Sequence, residues 1–519
     1  MASRSKQHQI ISDRLAAEFN AIDLKRAPLR VALTYPSPYR VGMSSLGFQV
    51  IYKILNGRPD TTCERAFLPD DVDAWRREIG PLLTYESRLP VGDCNVIAFS
   101  LSYELEIPGL LECLKLAGLP LLASQRGQGW PLVVVGGPLT FSNPSPVGPF
   151  ADVVVMGEGE EAIHAVIDAV AEDRGRQALL EDLAGLPGFW IPSIHGDTPT
   201  PVIAADDAML PAASVFLTQD TELAGMHLVE SERGCHRACT FCVMRRSTNG
   251  GMRLASPEAI LASIPDEARK VGLVGAAVSD HPRLIEIVRA IVDSGRQISL
   301  SSLRADRLSD ELMALLAQGG YQTITVASDG ASERLRAMMM KNIRAKHLLR
   351  AAELVRDHGL RRLKVYMMIG VPNETDDDLK ELIDFTLELS SICSVAMGIA
   401  PFVAKRNTPL DRQPFAGVKE VERRLLMLRK ALGRRIDMRS TSARWAWVEY
   451  CLAQGGPPMG LAAMEAWQAG GSFHAWKKAI ERHGGEPLAD APPPIIPTSR
   501  AEDLAVRRLD ARLTFGAPS

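Results

Sequence analysis

The sequence predicts an α/β protein with two parallel-sheet units in series and a helical region at the end. The first unit reads as a doubly wound, Rossmann-like sheet, and the second as a partial (β/α)6 TIM-type barrel. Two observations carry that prediction. Short apolar runs alternate with helical patterns along residues 28–175 and again along 226–410, the rhythm of βα repeats and parallel sheets. One stretch, Gly234-Cys235-His236-Arg237-Ala238-Cys239-Thr240-Phe241-Cys242, gathers three cysteines directly after the apolar run Met226-His227-Leu228-Val229. A loop leaving the end of a strand is where such folds place their chemistry.

Residues 1–27 carry Leu15, Phe19 and Ile22 at helical spacing and read as an N-terminal helix. Leu29 to Thr34 reads as a buried strand, closed by Tyr35-Pro36-Ser37-Pro38. A helix follows over 42–55, with Leu46, Val50, Ile51 and Ile54 on one face. Further strands are expected at 96–100, 131–135 and 152–156, with a helix at 107–116. These strands end in glycine, serine or a turn, and such ends form the crevice where doubly wound sheets bind ligands. Gly136 and Gly137, and Gly157, Glu158 and Gly159, are therefore candidate ligand-lining residues. Glycines at turns also have a purely backbone explanation. Residues 176–225, broken by Pro187, Pro192, Pro199, Pro201 and Pro211, read as a linker with a short strand pair around Phe189-Trp190-Ile191.

From residue 226 the repeats become regular. Strands are expected at 227–231, 273–279, 297–302, 322–327, 363–369 and 394–403, with helices at 257–269, 309–318, 346–358 and 376–390. Six repeats argue for an open barrel with a lateral mouth. Gly370 and Pro372 make a turn, and Thr375 caps a helix whose first turn, Asp376 to Asp378, is acidic. Residues 411–485 read as helical, and 486–519 as a Pro-rich tail. The basic run from Arg423 to Arg435 reads as a solvated helix face.

Composition narrows the class. The 519 residues are 46% hydrophobic with a net charge of −3, which suits full-sized cores and gives no global pull toward nucleic acid. No apolar run is long enough to span a membrane, and the N-terminus shows no secretory pattern. Eight cysteines in this length are not a disulfide scaffold, so a cytoplasmic protein with reduced thiols is expected.

Three thiolates on one loop can hold three irons of a [4Fe–4S] cluster and leave the fourth open to another ligand. Cys235, Cys239 and Cys242 are the candidate metal ligands. Zinc is the competing reading, but it usually takes a fourth Cys or His from a second knuckle, and no second Cys-x-x-Cys is present.

The Cys-x-x-x-Cys-x-x-Cys triad, with Phe241 before its last cysteine, resembles the signature of the radical S-adenosylmethionine enzymes. That resemblance implies a [4Fe–4S] cluster on the triad and S-adenosylmethionine chelated to its open iron. One electron would cleave the sulfonium and release a 5′-deoxyadenosyl radical. It places Phe241 near the adenine. Backbone at Val278 and Ser279 would face the methionine ammonium, although the usual Gly-Gly-Glu is missing there. Ser302 or Arg304 would face the ribose or the carboxylate, and Asp329 the ribose. Residues 28–175 resemble the cobalamin-binding domain fused to many such enzymes, through Tyr35 to Gly47, Gly136-Gly137-Pro138 and Gly157-Glu158-Gly159-Glu160. The Asp-x-His-x-x-Gly motif, whose His ligates cobalt, is absent, so cobalamin would bind without a His beneath the metal. A degenerate domain with a structural role is the alternative.

The resemblance implies methylation of an unactivated carbon, with methyl transfer through cobalamin. The runners-up are a radical cyclisation, rearrangement or oxidation without methyl transfer, and a non-catalytic iron–sulfur protein. Expected partners are a small-molecule or peptide substrate and an electron donor such as flavodoxin or ferredoxin, with neither membrane nor nucleic acid among them.

Overall fold

The computed structural model describes residues 2–22, 24–245, 251–433 and 435–487. The chain forms two compact units, Met1–His227 with Gly455–Glu486, and a second that begins at Leu228 and runs through Gln454.

The first unit is built on a six-stranded sheet. Its strands are β1 (Leu29–Tyr35), β2 (Thr61–Phe67), β3 (Val96–Ser100), β4 (Leu132–Gly136), β5 (Val153–Val155) and β6 (Phe189–Trp190), in the order β2-β1-β3-β4-β5-β6. All pairs are parallel except β5–β6, which is antiparallel. The runs Val31-Ala32-Leu33 and Val133-Val134-Val135 are buried on both faces, as a helix-covered parallel sheet requires. The strand β2 has no counterpart in the sequence reading. It holds Thr61, Thr62, Glu64 and Arg65, yet every residue is buried. Its charges are neutralised inside: Arg65 pairs with Glu18 at 2.8 Å and Glu86 at 2.6 Å.

Two regions differ from expectation. Residues 176–225 are packed against this unit rather than free: Val202, Ala205, Phe216 and Leu217 are buried, and Ile203 forms a parallel bridge with Gly157. Residues 455–486 separate from the rest of the expected helical region and return to the first unit, where Trp467 Nε1 donates to Glu112 Oε2 at 3.0 Å.

The second fold element is the barrel. A three-stranded sheet, β11-β10-β7, comprises β7 (Met226–Glu230), β10 (Lys270–Val274) and β11 (Gln297–Leu300). A four-stranded parallel sheet joins β12 (Thr323–Asp329), β13 (Arg362–Ile369), β14 (Val395–Pro401) and β15 (Asp437–Ser440). The two are linked by the bridge Leu303–Val326. A short antiparallel hairpin, β8 (Glu232–Gly234) and β9 (Met252–Leu254), brackets the cysteine loop. The expected six-strand barrel thus gains a seventh strand, β15, inside a region read as helical. The expected strand 273–279 also shifts: β10 ends at Val274, and Val278–Asp280 turns into a 3-10 helix. The apolar run Ala276-Ala277-Val278 imitates a strand but packs as a turn. The helix Asp376–Ile392 carries the expected Thr375–Asp378 capping box.

Candidate functional site

The cysteine loop leaves β8 and is pinned by backbone bonds at its centre. Thr240 N–H donates to the Met339 carbonyl at 3.0 Å, and the Thr240 carbonyl accepts from Leu410 N–H at 3.0 Å. Thr240 therefore ties the loop to the segments that follow β12 and β14. Arg237 reaches back to Asp280 beyond β10, with Nε 2.8 Å from Oδ2. Burial alone would raise the Asp280 carboxyl, but Arg237, Arg304 and Arg307 outweigh it and hold it below its ordinary range.

Cys235, Cys239 and Cys242 lie together on this loop, Cys239 buried and the other two partly so. Arg237 N–H points at Cys235 Sγ at 3.4 Å. Such N–H···S bonds suit a thiolate bound to iron. Burial pushes the Cys235 thiol up and the Cys242 thiol up to about 12, so metal binding must displace protons. Among the described residues no three His, Cys, Asp or Glu side chains converge on a point where one metal ion would sit. Three thiolates on one loop are the donor set a [4Fe–4S] cluster takes, one per iron.

Lys341 was not expected here. Its Nζ is 2.6 Å from Asp329 Oδ2. Burial alone would lower its pKa, but Asp329 and Cys239 outweigh that and keep the ammonium charged beside the thiols. Asp329 is accordingly committed to Lys341. Arg304 is also engaged, with Nε 3.0 Å from Asp306 Oδ1 and Nη2 3.3 Å from the Lys341 carbonyl. Ser279 Oγ accepts from Arg304 N–H at 3.1 Å, and the buried Val278 carbonyl accepts from His281 N–H. Ser302 is exposed, and Phe241 is partly exposed on the loop. Several of the expected pocket residues therefore already serve one another.

Glu232 at the start of β8 also went unnoticed in sequence. It is fully buried. Its Oε1 accepts from Ala277 N–H at 2.6 Å, and its Oε2 is buried with no partner. A Cβ at position 275 would lie 2.1 Å from Oε1, so Gly275 forms the cradle for this carboxylate. Burial pushes the carboxyl up to about 7, against the Ala277 N–H bond and with Glu230 and Asp280 adding to the rise.

One face of β13 is buried through Leu363, Val365, Met367 and Ile369. The opposite face carries Lys364 and Tyr366, with Nζ 2.8 Å from the Tyr366 hydroxyl. Tyr366 is 38% exposed. Its ring lies over Gly398, where a Cβ would approach to 2.5 Å, and Arg439 follows Gly398 in register.

In the first unit the strand-end glycines are largely spoken for. Gly137, at φ +103°, packs on Leu101, whose carbonyl a Cβ would meet at 2.6 Å. Gly157, at φ +97°, packs on Ile203, whose carbonyl lies 2.2 Å from such a Cβ. Glu158 accepts from Ala205 N–H at 2.8 Å. Gly136 and Gly159 have no neighbour closer than 3.8 Å to an added Cβ. Beside Gly136, the ends of β1 and β3 present Tyr35, whose hydroxyl is 2.8 Å from Ser102, and a buried Glu106 that accepts from Ser102 N–H at 2.6 Å.

Two family models match the chain: "Radical SAM proteins, N-terminal" over residues 47–192 and "Radical SAM superfamily" over residues 229–386. An uncharacterised protein of Methanocaldococcus jannaschii is 27% identical over 398 residues, covering 74% of this chain and 80% of that one. An uncharacterised methyltransferase of Pyrococcus horikoshii is 26% identical over 270 residues, 50% of this chain and 58% of its own length. Among solved structures, TsrM from Kitasatospora setae, a radical S-adenosylmethionine methyltransferase with cobalamin and a [4Fe–4S] cluster bound, superposes with a TM-score of 0.52 at 15% identity, covering 77% of this chain and 75% of that one. The cobalamin-dependent enzyme OxsB, with aqua-cobalamin bound, gives 0.51 at 16% identity over 71% and 53%. At these identities the two structures show the fold.

Proposed function

We propose that this chain, which belongs to the radical S-adenosylmethionine superfamily, methylates an unactivated carbon with a methyl group relayed by cobalamin. Cys235, Cys239 and Cys242 would each hold one iron, and the bound cluster supplies the electron that splits S-adenosylmethionine into methionine and a 5′-deoxyadenosyl radical. An external one-electron donor, a flavodoxin or ferredoxin, balances that step. Cobalamin, when bound, supplies a methyl group taken from a second S-adenosylmethionine.

The chain's own residues do the positioning. Thr240 fixes the loop, and Phe241 and Ser302 remain the candidates for adenine and ribose. The barrel face with Lys364, Tyr366 and Arg439 would seat the acceptor, and its cations favour an anionic small molecule or peptide. The observation that carries the methyl-transfer half is the doubly wound N-terminal sheet, a fold shared with TsrM and OxsB. The polar groups at the β1 and β3 ends, Tyr35, Ser102 and Glu106, support these strand ends as the corrin crevice.

The test uses the full chain, reconstituted anaerobically with iron, sulfide and hydroxocobalamin. Corrinoid should survive gel filtration with a spectrum lacking nitrogen ligation. Under reduction, S-adenosylhomocysteine should form in addition to 5′-deoxyadenosine. Formation of 5′-deoxyadenosine alone, with no retained corrinoid, would move the assignment to a radical rearrangement, cyclisation or oxidation.

A further inference from the structure

At the amino ends of β4 and β5, opposite the strand ends that carry Gly136 and Gly157, the first unit holds a cavity of about 670 Å³. Two guanidiniums and one carboxylate meet in its wall. Arg126 is 4% exposed and spends every N–H on the protein: on both oxygens of Asp152 and on the carbonyls of Pro120, Leu121 and Phe150. Asp152, 5% exposed, also accepts from Val133 N–H at 2.8 Å. Arg126 and Asp152 thus form a complete buried pair. Arg176 comes in addition. Its Nη2 lies 2.6 Å from Asp152 Oδ2 with neither N–H aimed at that oxygen, so the contact is an ion pair without a hydrogen bond. Its Nη1 donates to the Trp130 carbonyl at 3.1 Å, and among the described residues no other acceptor meets this guanidinium.

One carboxylate cannot balance two cations, and an unbalanced charge away from water is costly. Arg126 registers the excess: burial pulls it below its ordinary range, and Arg176 adds to that against the pull of Asp152. The helix Arg176–Ala184 also turns its amino end, the positive end of its dipole, toward the cavity through Arg176 and Gln177. The remaining walls are mixed, with Pro149, Leu180 and Leu461 apolar and Ser124 polar.

We propose that this cavity binds an amphiphilic organic monoanion, a carboxylate on a short apolar chain, with the carboxylate on Arg176. A single surplus charge calls for a monoanion, and a phosphate dianion would overshoot it. The planar guanidinium fork matches a carboxylate, and the leucines suit an apolar chain. The volume is that of an ordinary small-molecule site. Lying at the amino ends of the strands, the site is separate from the carboxyl-end crevice of the same sheet, and the inference is independent of the proposed reaction. Leu461 comes from the returning residues 455–486, so an occupant would brace the closure of the first unit.

Calorimetry and thermal melting of the full chain at fixed ionic strength test this with three probes: hexanoate, its neutral isostere hexanamide, and inorganic phosphate. Hexanoate should bind saturably and raise the Tm, and the other two should not. Arg176→Gln should weaken hexanoate by about 10–100-fold, the worth of a hydrogen bond to a charged group. Circular dichroism verifies that the variant is folded. A second variant leaves the buried cluster intact: Gln177→Glu, at an exposed position, should weaken hexanoate about two- to fivefold by like-charge repulsion. No saturable binding of hexanoate to the wild type overturns the proposal. Equal binding of hexanamide overturns the role of charge, and equal binding of phosphate overturns the class of anion. Affinity for hexanoate that is unchanged in both variants places the probe elsewhere and also overturns the assignment.

Discussion

The strands of the N-terminal sheet and of the barrel both end in glycines and acids, yet the two regions spend them differently. At the ends of β4 and β5, Gly137 and Gly157 accept the backbone of Leu101 and Ile203, and Glu158 holds the Ala205 amide. Those groups fasten the chain to itself. At the ends of the barrel strands, Gly275 makes room for a carboxylate whose second oxygen is left without a partner. A glycine or acid at a strand end is therefore not evidence of a ligand until its contacts are known. The informative feature is the polar atom left unsatisfied.

Substitutions can break this contrast. The largest effect belongs to the cysteine loop: Ala at Cys235, Cys239 or Cys242 should abolish iron loading and 5′-deoxyadenosine formation. A triple variant that still makes 5′-deoxyadenosine would end the cluster assignment. Next comes Gly157→Ala, which places a methyl 2.2 Å from the Ile203 carbonyl at φ +97°. It should cost about 2–4 kcal/mol and lower the Tm clearly. Gly159→Ala, with nothing nearer than 3.8 Å, should be close to neutral. Equal melting temperatures for the two would erase the distinction.

Glu232→Gln should show a pH signature in the metal-free protein. The carboxyl is raised from 4.5 to about 7 in the folded state, beside Glu230, Asp280 and Cys235. Its contribution is therefore intact below about pH 4.5 and is lost as pH rises through 7. Relative to wild type, the variant should gain up to about 3 kcal/mol at pH 8 compared with pH 5. A pH-independent difference in denaturant midpoint would contradict this. The smallest effect is Thr375→Ala, which removes one half of a capping box and should cost about 1 kcal/mol by the same measurement.

Much of the architecture was legible from periodicity, and the reasons for the exceptions are physical. The strand β2 was hidden because Glu64 and Arg65 look like loop residues. Only partners distant in sequence make their burial tolerable: Glu18 and Glu86 for Arg65, and the Ser87 N–H for Glu64. The strand β15 was hidden because Asp437-Met438-Arg439-Ser440 is short and lacks an apolar face, its outer residues being exposed. The prolines of 176–225 correctly signalled the absence of long helices, but not that an irregular segment would pack on Gly157. In the candidate site, the cysteine spacing was a local signal that sequence could carry. Lys341 and Glu232 gave no local signal, since each matters through a neighbour across a turn: Asp329 for one, Gly275 for the other. A lysine twelve residues beyond a strand-end aspartate has no sequence grammar. Among the described residues no helix is long and apolar enough to cross a membrane.

The first unit begins with the first helix but is closed by residues 455–486. Met459, Ala462, Ala463, Ala466 and Trp476 are buried there, and a Cβ at Gly460 would lie 1.9 Å from the Pro146 carbonyl. On the ribosome, this has a consequence in time. The N-terminal sheet emerges early, but its last helices are made only after the whole barrel has been translated, on the order of ten to fifty seconds later at ordinary elongation rates. Throughout that interval the surface around Glu112 and Pro146 lacks its cover. The nascent chain thus has a long window of exposure to chaperones and to premature association, and the barrel must be synthesised before its neighbour can finish folding.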